Sequence, residues 1–182
     1  MFSICVFCGS SKGRNLNYIK LAHALGEILA QKSYKLIYGG GGLGLMGAVA
    51  SASHKAGGDV LGIMPKFLSN IERTLSSVNH IIVNDMHERK MMMYNESDAF
   101  IVLPGGIGTL EEAVEILSWS RLNLHNKPIV FLDNTNYWSP ILKLLNDMAK
   151  EKFIPEDFLE KVIFKTTPLE ALREIEKTLK CN

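Results

Sequence analysis

Residues 103–112, with the sequence LPGGIGTLEE, combine a glycine-rich turn with two adjacent carboxylates. The turn follows an apolar run that predicts a β-strand and precedes a pattern that predicts a helix. Glycines remove the side chains that would keep a ligand from the backbone. The first N–H groups of a helix are donors without intrahelical partners and carry positive partial charge. The segment therefore predicts a phosphate-type anion site with an acidic group beside it.

Glu112 has two explanations at this stage. Thr109 followed three residues later by Glu112 has the spacing of a capping box, which accounts for the glutamate without a ligand. Alternatively, a carboxylate one helical turn beyond a turn stripped of side chains reaches the sugar of a bound molecule. The Gly-Gly-Ile-Gly sequence before the helix favours the second explanation, and Glu111 and Glu115 are expected at the surface.

A second glycine run, GGGGLGLMG at residues 39–47, contains the G-x-G-x-x-G spacing twice between a predicted strand and a predicted helix. A conventional NAD site would also need an acid at the end of the next strand, and GIMP at residues 62–65 supplies none. Two alternatives remain for this run. It is a tight turn that lets a helix pack closely on the sheet, or it is a glycine wall beside a bound nucleotide.

Arg89 and Lys90 lie near the start of a predicted helix, where the helix dipole disfavours cations. Either an anionic partner compensates them, or they form a solvated basic face balanced by Glu88. The following Met91, Met92 and Met93 are expected to pack against the sheet. The histidines lack metal-ligand spacing, so we expect no metal.

Charge and composition limit the range of partners. The 182 residues include 20 basic and 19 acidic side chains, for a net charge of +1, without a run of five or more like charges. We therefore expect a small-molecule partner and neither nucleic acid nor a membrane. The first residues lack a basic region before their short apolar stretch, and no apolar run is long enough to span a bilayer, which predicts a cytoplasmic protein.

The three cysteines fit a reducing compartment. Cys5 and Cys8 form a C-x-x-C pair that could indicate redox chemistry or a metal. Within a strand, however, residues three apart point to opposite faces, so buried thiols are the preferred interpretation. Cys181 is expected to be exposed.

Alternating strand and helix patterns predict a three-layer α/β fold with a mainly parallel sheet, as a single domain over residues 1–182. Residues 65–79 lack a clear pattern and are either a lid or a simple connection. Helix starts are predicted at the capping pair Asp85 and Glu88, at Ser139-Pro140 and at Thr167-Pro168. Seven strands are predicted, at residues 4–7, 35–38, 60–63, 80–83, 99–103, 128–132 and 162–164.

Four distinctive segments follow strands of this sheet. They are residues 8–11, 39–47, 86–90 and 104–112. In an open parallel sheet, ligands bind beyond the carboxyl ends of the strands, so these segments are expected to converge on one site.

The same segments resemble the LONELY GUY (LOG) family of cytokinin-activating enzymes. PGGIGTLEE matches the PGGxGTxxE signature of that family, and CGSS, YGGG with GLMG, MHERK, and WSRL with HNKP match it in order along nearly the whole chain. The resemblance implies a Rossmann-like fold and hydrolysis of the N-glycosidic bond of adenine-type nucleoside 5′-monophosphates, without a cofactor. It implies Arg89 and Glu112 as the catalytic pair. The implied nucleotide-binding residues are this pair with Ser10, Gly41, Gly44, Met86, Lys90, Gly105, Gly106, Gly108 and Thr109.

Two other functions were weighed against this one. A lysine decarboxylase, the label that many such sequences carry, needs pyridoxal phosphate on a lysine with an acidic partner, and the sequence offers no such arrangement. A non-enzymatic nucleotide-binding or carrier module on the same scaffold remains the alternative. The resemblance also implies a homodimer. The predicted helix after residue 110 has more apolar residues than a helix that covers a sheet usually needs, namely Val114, Leu117, Trp119 and Leu122, and the excess fits a dimer interface.

Overall fold

Seven strands form one sheet in the computed structural model of the protein, which describes residues 2–69 and 73–181. The strands are β1 (Ser3–Phe7), β2 (Lys35–Tyr38), β3 (Val60–Pro65), β4 (Asn79–Val83), β5 (Ala99–Val102), β6 (Ile129–Leu132) and β7 (Val162–Lys165). Their order is β4-β3-β2-β1-β5-β6-β7, and each of these neighbouring pairs is parallel. All seven predicted strands are confirmed, with ends within two residues of those expected.

Helices cover both faces of the sheet, which confirms the three-layer α/β architecture. They are α1 (Leu16–Gln31), α2 (Gly44–Lys55), α3 (Lys66–Ser69), α4 (Met86–Asn95), α5 (Ile107–Arg121), α6 (Ser139–Lys150) and α7 (Pro168–Cys181), with a 3₁₀ helix at Glu156–Lys161. Buried residues of α1, α2 and α7 share one core with one face of the sheet, and those of α4, α5 and α6 share a second core with the other face. Among the described helices, none is long and apolar enough to cross a membrane.

The central strand β1 is where the chain changes direction across the sheet. From β1 the chain builds β2, β3 and β4 on one side, and then crosses to β5 on the other side. Val6 pairs with Tyr38 of β2 and with Ile101 of β5, so these three strands end nearly level. The loops after β1 and β5 then diverge onto opposite faces, which opens a crevice at the carboxyl edge of the sheet.

Cys5 and Cys8 confirm the interpretation of the C-x-x-C pair. Both are free and buried. Cys5 belongs to the core beneath α4 to α6, and Cys8 belongs to the core beneath α1, α2 and α7. The two thiols therefore lie on opposite faces of the sheet. The side chain of Cys181 lies outside the described part of the chain.

Two of the predicted helix starts are confirmed and one is displaced. The Asp85 side chain accepts from the Glu88 N–H at 2.9 Å, and Thr167 and Glu170 accept from each other's N–H groups. Ser139 was expected to cap α6 but is its first residue, and the cap position is Trp138. The Ser139 hydroxyl donates to the Asn136 carbonyl instead, because the preceding turn already places that acceptor beside it.

The segment after β3 packs against the second glycine run. It includes the short helix α3, and Thr74 then forms an antiparallel bridge with Gly41. The Gly42 N–H also donates to the Arg73 carbonyl at 2.5 Å. Part of this segment, residues 70–72, lies outside the described chain, so the choice between a lid and a connection stays open.

Close packing between α1 and α2 depends on Gly26, and it yields a stability prediction. A Cβ atom at Gly26 would overlap the Val49 carbonyl oxygen and lie 2.9 Å from the Ala52 Cβ atom. Overpacking costs about 1–3 kcal/mol, and alanine regains about 0.5–1 kcal/mol of helix propensity. We expect Gly26→Ala to lower the free energy of unfolding by about 1–2 kcal/mol in urea denaturation. Gly108→Ala, in α5 with open space around it, is the control and should not destabilise; equal stability of the two variants would contradict the prediction.

Candidate active site

A cavity of about 400 Å³ lies at the carboxyl edge of the sheet, where the strand order reverses. Each of the four segments singled out in the sequence contributes to its lining, through Ser10, Gly39, Arg89 and Gly108 respectively. The expected convergence is therefore observed. Cavities of this size bind small molecules in other proteins.

Arg89 and Glu112 form a buried ion pair in the wall of this cavity. The Arg89 Nη1 atom lies 3.3 Å from Glu112 Oε1, and the two side chains are 8% and 9% exposed. Arg89 also donates from Nε to the Ile63 carbonyl at 3.2 Å and from Nη2 to the Gly39 carbonyl at 3.5 Å. Burying two charges is costly even when they are paired. An ion pair kept in a cavity wall at this cost is typical of functional sites.

Gly39 makes room for the Arg89 side chain. A Cβ atom at this position would overlap the Arg89 Nη2 atom and lie 3.1 Å from the Met46 sulfur. Any larger residue would therefore displace the guanidinium from its place beside the end of β2. The sequence placed Gly39 in a possible nucleotide-binding run but gave no sign of this contact.

The capping-box explanation of Glu112 is wrong. Helix α5 begins at Ile107, and its cap residue is Gly106, which has no side chain to form a capping bond. The Leu110 N–H donates to the Gly106 carbonyl at 3.0 Å, which is the first bond of the helix. Thr109 is therefore the third helical residue and Glu112 the sixth. Glycine is a poor helix former, although it is tolerated as a cap. Gly106 and Gly108 therefore made the sequence look non-helical at the residues where α5 begins.

The amino end of α5 opens onto the cavity. Gly106, Ile107, Gly108 and Thr109 all line the cavity, and a Cβ atom on either Gly106 or Gly108 would meet open space. Gly105 differs, because the Thr109 side chain occupies the space where its Cβ atom would lie. The first N–H groups of a helix have no acceptor within it and favour an anion.

Some glycines of the second run are needed for backbone packing, and a glycine wall beside a nucleotide stays a prediction. Gly44 has a φ of +61°, and a Cβ atom there would overlap the backbone of Ser10. A side chain at Gly47 would overlap the Gly42 carbonyl. Gly41 and Gly44 shape the loop without lining the cavity, whereas Gly39 and Met46 line it.

Apolar side chains form the rest of the lining. They are Val6, Met46, Leu68 and Met86, with the thiol of Cys8 among them. Burial, reinforced by the negative charge of Glu112, raises the pKa of Cys8 and keeps it a neutral thiol. Val6 and Cys8 could have been found from their place at the end of β1, but Leu68 lies in the segment without a pattern and carried no signal.

Lys90 is next to Arg89 on α4 but does not line the cavity. Its Nζ atom binds Glu111 Oε1 at 2.6 Å and Glu115 Oε1 at 3.0 Å, so the cation ties α4 to α5. Burial lowers the pKa of Lys90, but the hydrogen bonds and charges of the two glutamates more than offset this and raise it.

The anionic partners expected for Arg89 and Lys90 are thus carboxylates of α5. Glu88, the proposed counter-charge, instead accepts from the Asn84 N–H.

His125, from the HNKP segment, has a structural role. Its Nε2 atom lies 3.0 Å from the Ile116 carbonyl, and its Nδ1 atom accepts from the Lys127 N–H. Burial lowers the pKa of this imidazole. Within residues 2–69 and 73–180, no three histidine, cysteine or acidic side chains are grouped to hold a metal ion.

Comparison with known proteins adds to this geometry. Residues 46–175 match the family model described as "Possible lysine decarboxylase". The chain is 41% identical over 180 residues to a cytokinin riboside 5′-monophosphate phosphoribohydrolase of Arabidopsis thaliana, covering 98% of this chain and 84% of that one. It is 42% identical over 163 residues to the enzyme of the same name from Rhodococcoides fascians, covering 88% and 82%.

Solved structures with the same fold include proteins of a different description. A molybdenum cofactor carrier protein from Chlamydomonas reinhardtii superimposes with a TM-score of 0.74 at 20% identity over 98% of both chains. A molybdenum cofactor binding protein from Rippkaea orientalis gives 0.71 at 23% identity over 97% of this chain and 96% of that one. These likenesses establish the Rossmann-like fold alone. By its sequence, the chain belongs to the LONELY GUY family of cytokinin riboside 5′-monophosphate phosphoribohydrolases.

Proposed function

We propose that the protein hydrolyses the N-glycosidic bond of cytokinin and other adenine-type nucleoside 5′-monophosphates, releasing the free base and ribose 5-phosphate. The observation that carries this proposal is the buried Arg89–Glu112 pair in the same cavity as the glycine-rich start of α5. The names of the relatives at 41% and 42% identity support the same reaction.

The 5′-phosphate binds at the amino end of α5 in this proposal. The N–H groups of residues 106–109 supply donors, and the open space over Gly106 and Gly108 lets phosphate oxygens approach them. Ser10, on the neighbouring loop after β1, also faces the cavity. Gly44 contributes by packing against the backbone of Ser10, and Gly41 contributes by pairing with Thr74.

Glu112 lies on the same helix as the proposed phosphate site. It is five positions after Ile107, and at 1.5 Å of rise per residue this is about 7.5 Å along the helix. Cleavage builds positive charge on the sugar, which a nearby carboxylate stabilises while it orients the attacking water. Arg89, in contact with Glu112, faces the departing base, which must take up negative charge or a proton at N3 or N7.

The apolar lining supports binding of the base and of a prenyl tail on it. Val6, Met46, Leu68 and Met86 offer a surface without charge, and the methionines are flexible enough to fit either a bare or an extended adenine. The cavity of about 400 Å³ is within the usual range for a ligand of this size.

Other functions on this fold are less well supported. A pyridoxal phosphate decarboxylase needs a lysine for its Schiff base, and none is found among the described residues that line the cavity. A carrier has no need of a buried arginine–glutamate pair beside the ligand, and likeness of fold does not carry function. Release of ribose 5-phosphate from AMP therefore separates the enzyme from a carrier.

The catalytic assignment predicts the behaviour of two variants. We expect Glu112→Gln and Arg89→Ala each to lower kcat for AMP and isopentenyl-AMP by about 10²–10⁴-fold, because each removes a charge that acts in the transition state. Release of ribose 5-phosphate measures the rate. Glu151→Gln, at an exposed carboxylate directly after α6, is the control and should stay within about threefold of wild type. A folded Glu112→Gln protein with wild-type rates would refute the assignment.

Lys90 was expected from the resemblance to bind the nucleotide, and its ion pairs suggest an alternative role that a comparison of variants can test. If it acts by tying α4 to α5, then Lys90→Met and the double variant Glu111→Gln/Glu115→Gln should lower activity and thermal stability to similar extents. If it binds the nucleotide, Lys90→Met should raise KM by about tenfold or more while the double variant keeps the wild-type KM. We expect the first result, measured by steady-state kinetics and thermal melting.

A homodimer is part of the proposal. Exposed positions of α5 at Ile107, Glu111, Val114, Ser118 and Leu122 recur every three or four residues and so form one face of the helix. Leu117 does not belong to this face, because it is buried in the core, and Trp119 packs on Tyr94 with ring centroids 5.1 Å apart. Val114 and Leu122 are 51% and 57% exposed, which leaves them free to be covered by a second copy.

Sedimentation tests the dimer. We expect a species of about twice the 20.3 kDa chain mass at micromolar concentration. Val114→Glu should shift it to the monomer, because a charge buried in an apolar interface is costly. Leu144→Glu, at an equally exposed leucine of α6, should leave it dimeric. A wild-type protein that sediments only as a monomer would exclude this part of the proposal.

We also propose that the enzyme acts in the cytoplasm. The free thiols of Cys5 and Cys8 fit a reducing compartment.

A further inference from the structure

The turn formed by Gly105 and Gly106 separates two cavities. On one side is the candidate active site, which Gly106 lines. On the other is a second cavity of about 200 Å³, which both glycines line together with Tyr18 and Tyr137. The Tyr137 hydroxyl donates a hydrogen bond to the Gly105 carbonyl. One face of the turn is thus bound to a side chain that does not belong to the active site.

This hydrogen bond controls the orientation of the peptide that joins the two glycines. The peptide is planar and trans, so its carbonyl and its N–H point in opposite directions. With the Gly105 carbonyl held towards Tyr137, the Gly106 N–H points away from Tyr137, and Gly106 is the glycine of the two that lines the active-site cavity. Neither residue has a Cβ atom to hinder rotation of the peptide plane, so the backbone itself does not enforce this orientation.

Other contacts hold Tyr137 in place. Asp133, directly after β6, accepts from the Thr135 N–H at 2.8 Å and from the Trp138 N–H at 3.1 Å, which closes the turn around Tyr137. The Tyr137 ring packs edge-on against Tyr18 and Trp138, with ring centroids 5.7 and 4.9 Å apart. Tyr137 remains 41% exposed, so core burial alone does not account for this arrangement.

The adjacent peptide is anchored from the opposite side. The Pro104 carbonyl accepts from the Gly9 N–H at 3.1 Å, which ties the turn to the loop after β1. Two consecutive carbonyls are therefore engaged, one by the backbone of a neighbouring loop and one by the Tyr137 hydroxyl. Of the two, only the second can be removed by changing a side chain.

We propose that Tyr137 is a positioning residue for the 5′-phosphate: its hydroxyl holds the Gly105–Gly106 peptide with the N–H facing the phosphate. This rests on the proposed function, which places the phosphate at the start of α5. Removing the hydroxyl lets the peptide rotate, and the phosphate loses a preoriented donor. The base and the reacting bond are bound by other residues, so the loss is confined to ligands that carry a phosphate.

Tyr137→Phe tests the proposal through two products of the reaction. We expect the inhibition constant of ribose 5-phosphate and the KM for AMP to rise by about five- to tenfold, the size expected for loss of one ordinary hydrogen bond. The inhibition constant of adenine, which has no phosphate, should not change, and kcat should stay within about twofold because the phosphate does not react. Tyr137→Leu should act in the same direction. Inhibition constants do not depend on the fraction of active enzyme, so partial unfolding does not obscure the result.

Tyr34→Phe is the matched control. It removes a tyrosine hydroxyl that donates to Glu176 at 2.8 Å, next to β2 at its amino end and away from the cavity. It should change none of the constants. An unchanged constant for ribose 5-phosphate in Tyr137→Phe, or equal rises for ribose 5-phosphate and adenine, would overturn the proposal. If the wild-type protein releases no ribose 5-phosphate from AMP or isopentenyl-AMP, the proposed function fails first, and the role of Tyr137 falls with it.

Discussion

The contact between the Arg89 guanidinium and the Glu112 carboxylate is the interaction on which the site depends. Two charges that are each less than a tenth exposed must recover their lost hydration from neighbouring groups. The carbonyls of Ile63 and Gly39 supply acceptors to Arg89, so the ends of β3 and β2 take part in holding the pair. The missing side chain at Gly39 makes room for it. Strands, a glycine turn and two helices thus meet at one ion pair.

Neighbouring residues repeat the same pattern of charge outside the cavity. Arg89 of α4 faces Glu112 of α5 within the cavity wall, and Lys90 faces Glu111 and Glu115 beside it. Two cations near the start of α4 are therefore compensated by carboxylates of a different helix. The outer pairs are more exposed and individually weak, but they restrict how α4 can move relative to α5. Such restriction keeps the inner pair in register.

The glycines of this chain have different structural roles, and their spacing in the sequence does not distinguish these roles. Gly106 and Gly108 leave open space beside the helix start, as expected of a phosphate site, whereas Gly44 permits contact with another part of the backbone. Gly105 accommodates Thr109, and its carbonyl accepts from Tyr137. A glycine-rich motif therefore indicates where the backbone lies very close to another group. Only the surrounding structure says whether that is a ligand, a side chain or another loop.

The sequence was sufficient to predict the sheet, because strands covered on both faces are continuous apolar runs that are distinct from amphipathic helices. The cap at Thr167 was also predictable, from the proline that follows it, and the cap at Asp85 from the acid three residues later. The acid pattern failed at Thr109, because Gly106 caps α5 without a side chain and the helix starts earlier than the pattern indicates. The proline pattern failed at Ser139, because the preceding turn changed which residue caps the helix.

What the sequence by itself determined is the set of strands, the loops that follow them and therefore the edge of the sheet at which a site forms. Tertiary structure alone decided that Glu112 turns inward to Arg89, that Leu68 lines the cavity and that Tyr137 reaches Gly105, 32 residues away. The physical reason is that the sequence patterns and the tertiary contacts act over different distances along the chain. Periodicity and caps report on neighbours along the chain, whereas these contacts depend on strand register and on the rotation of each helix against the sheet, which the packed core sets.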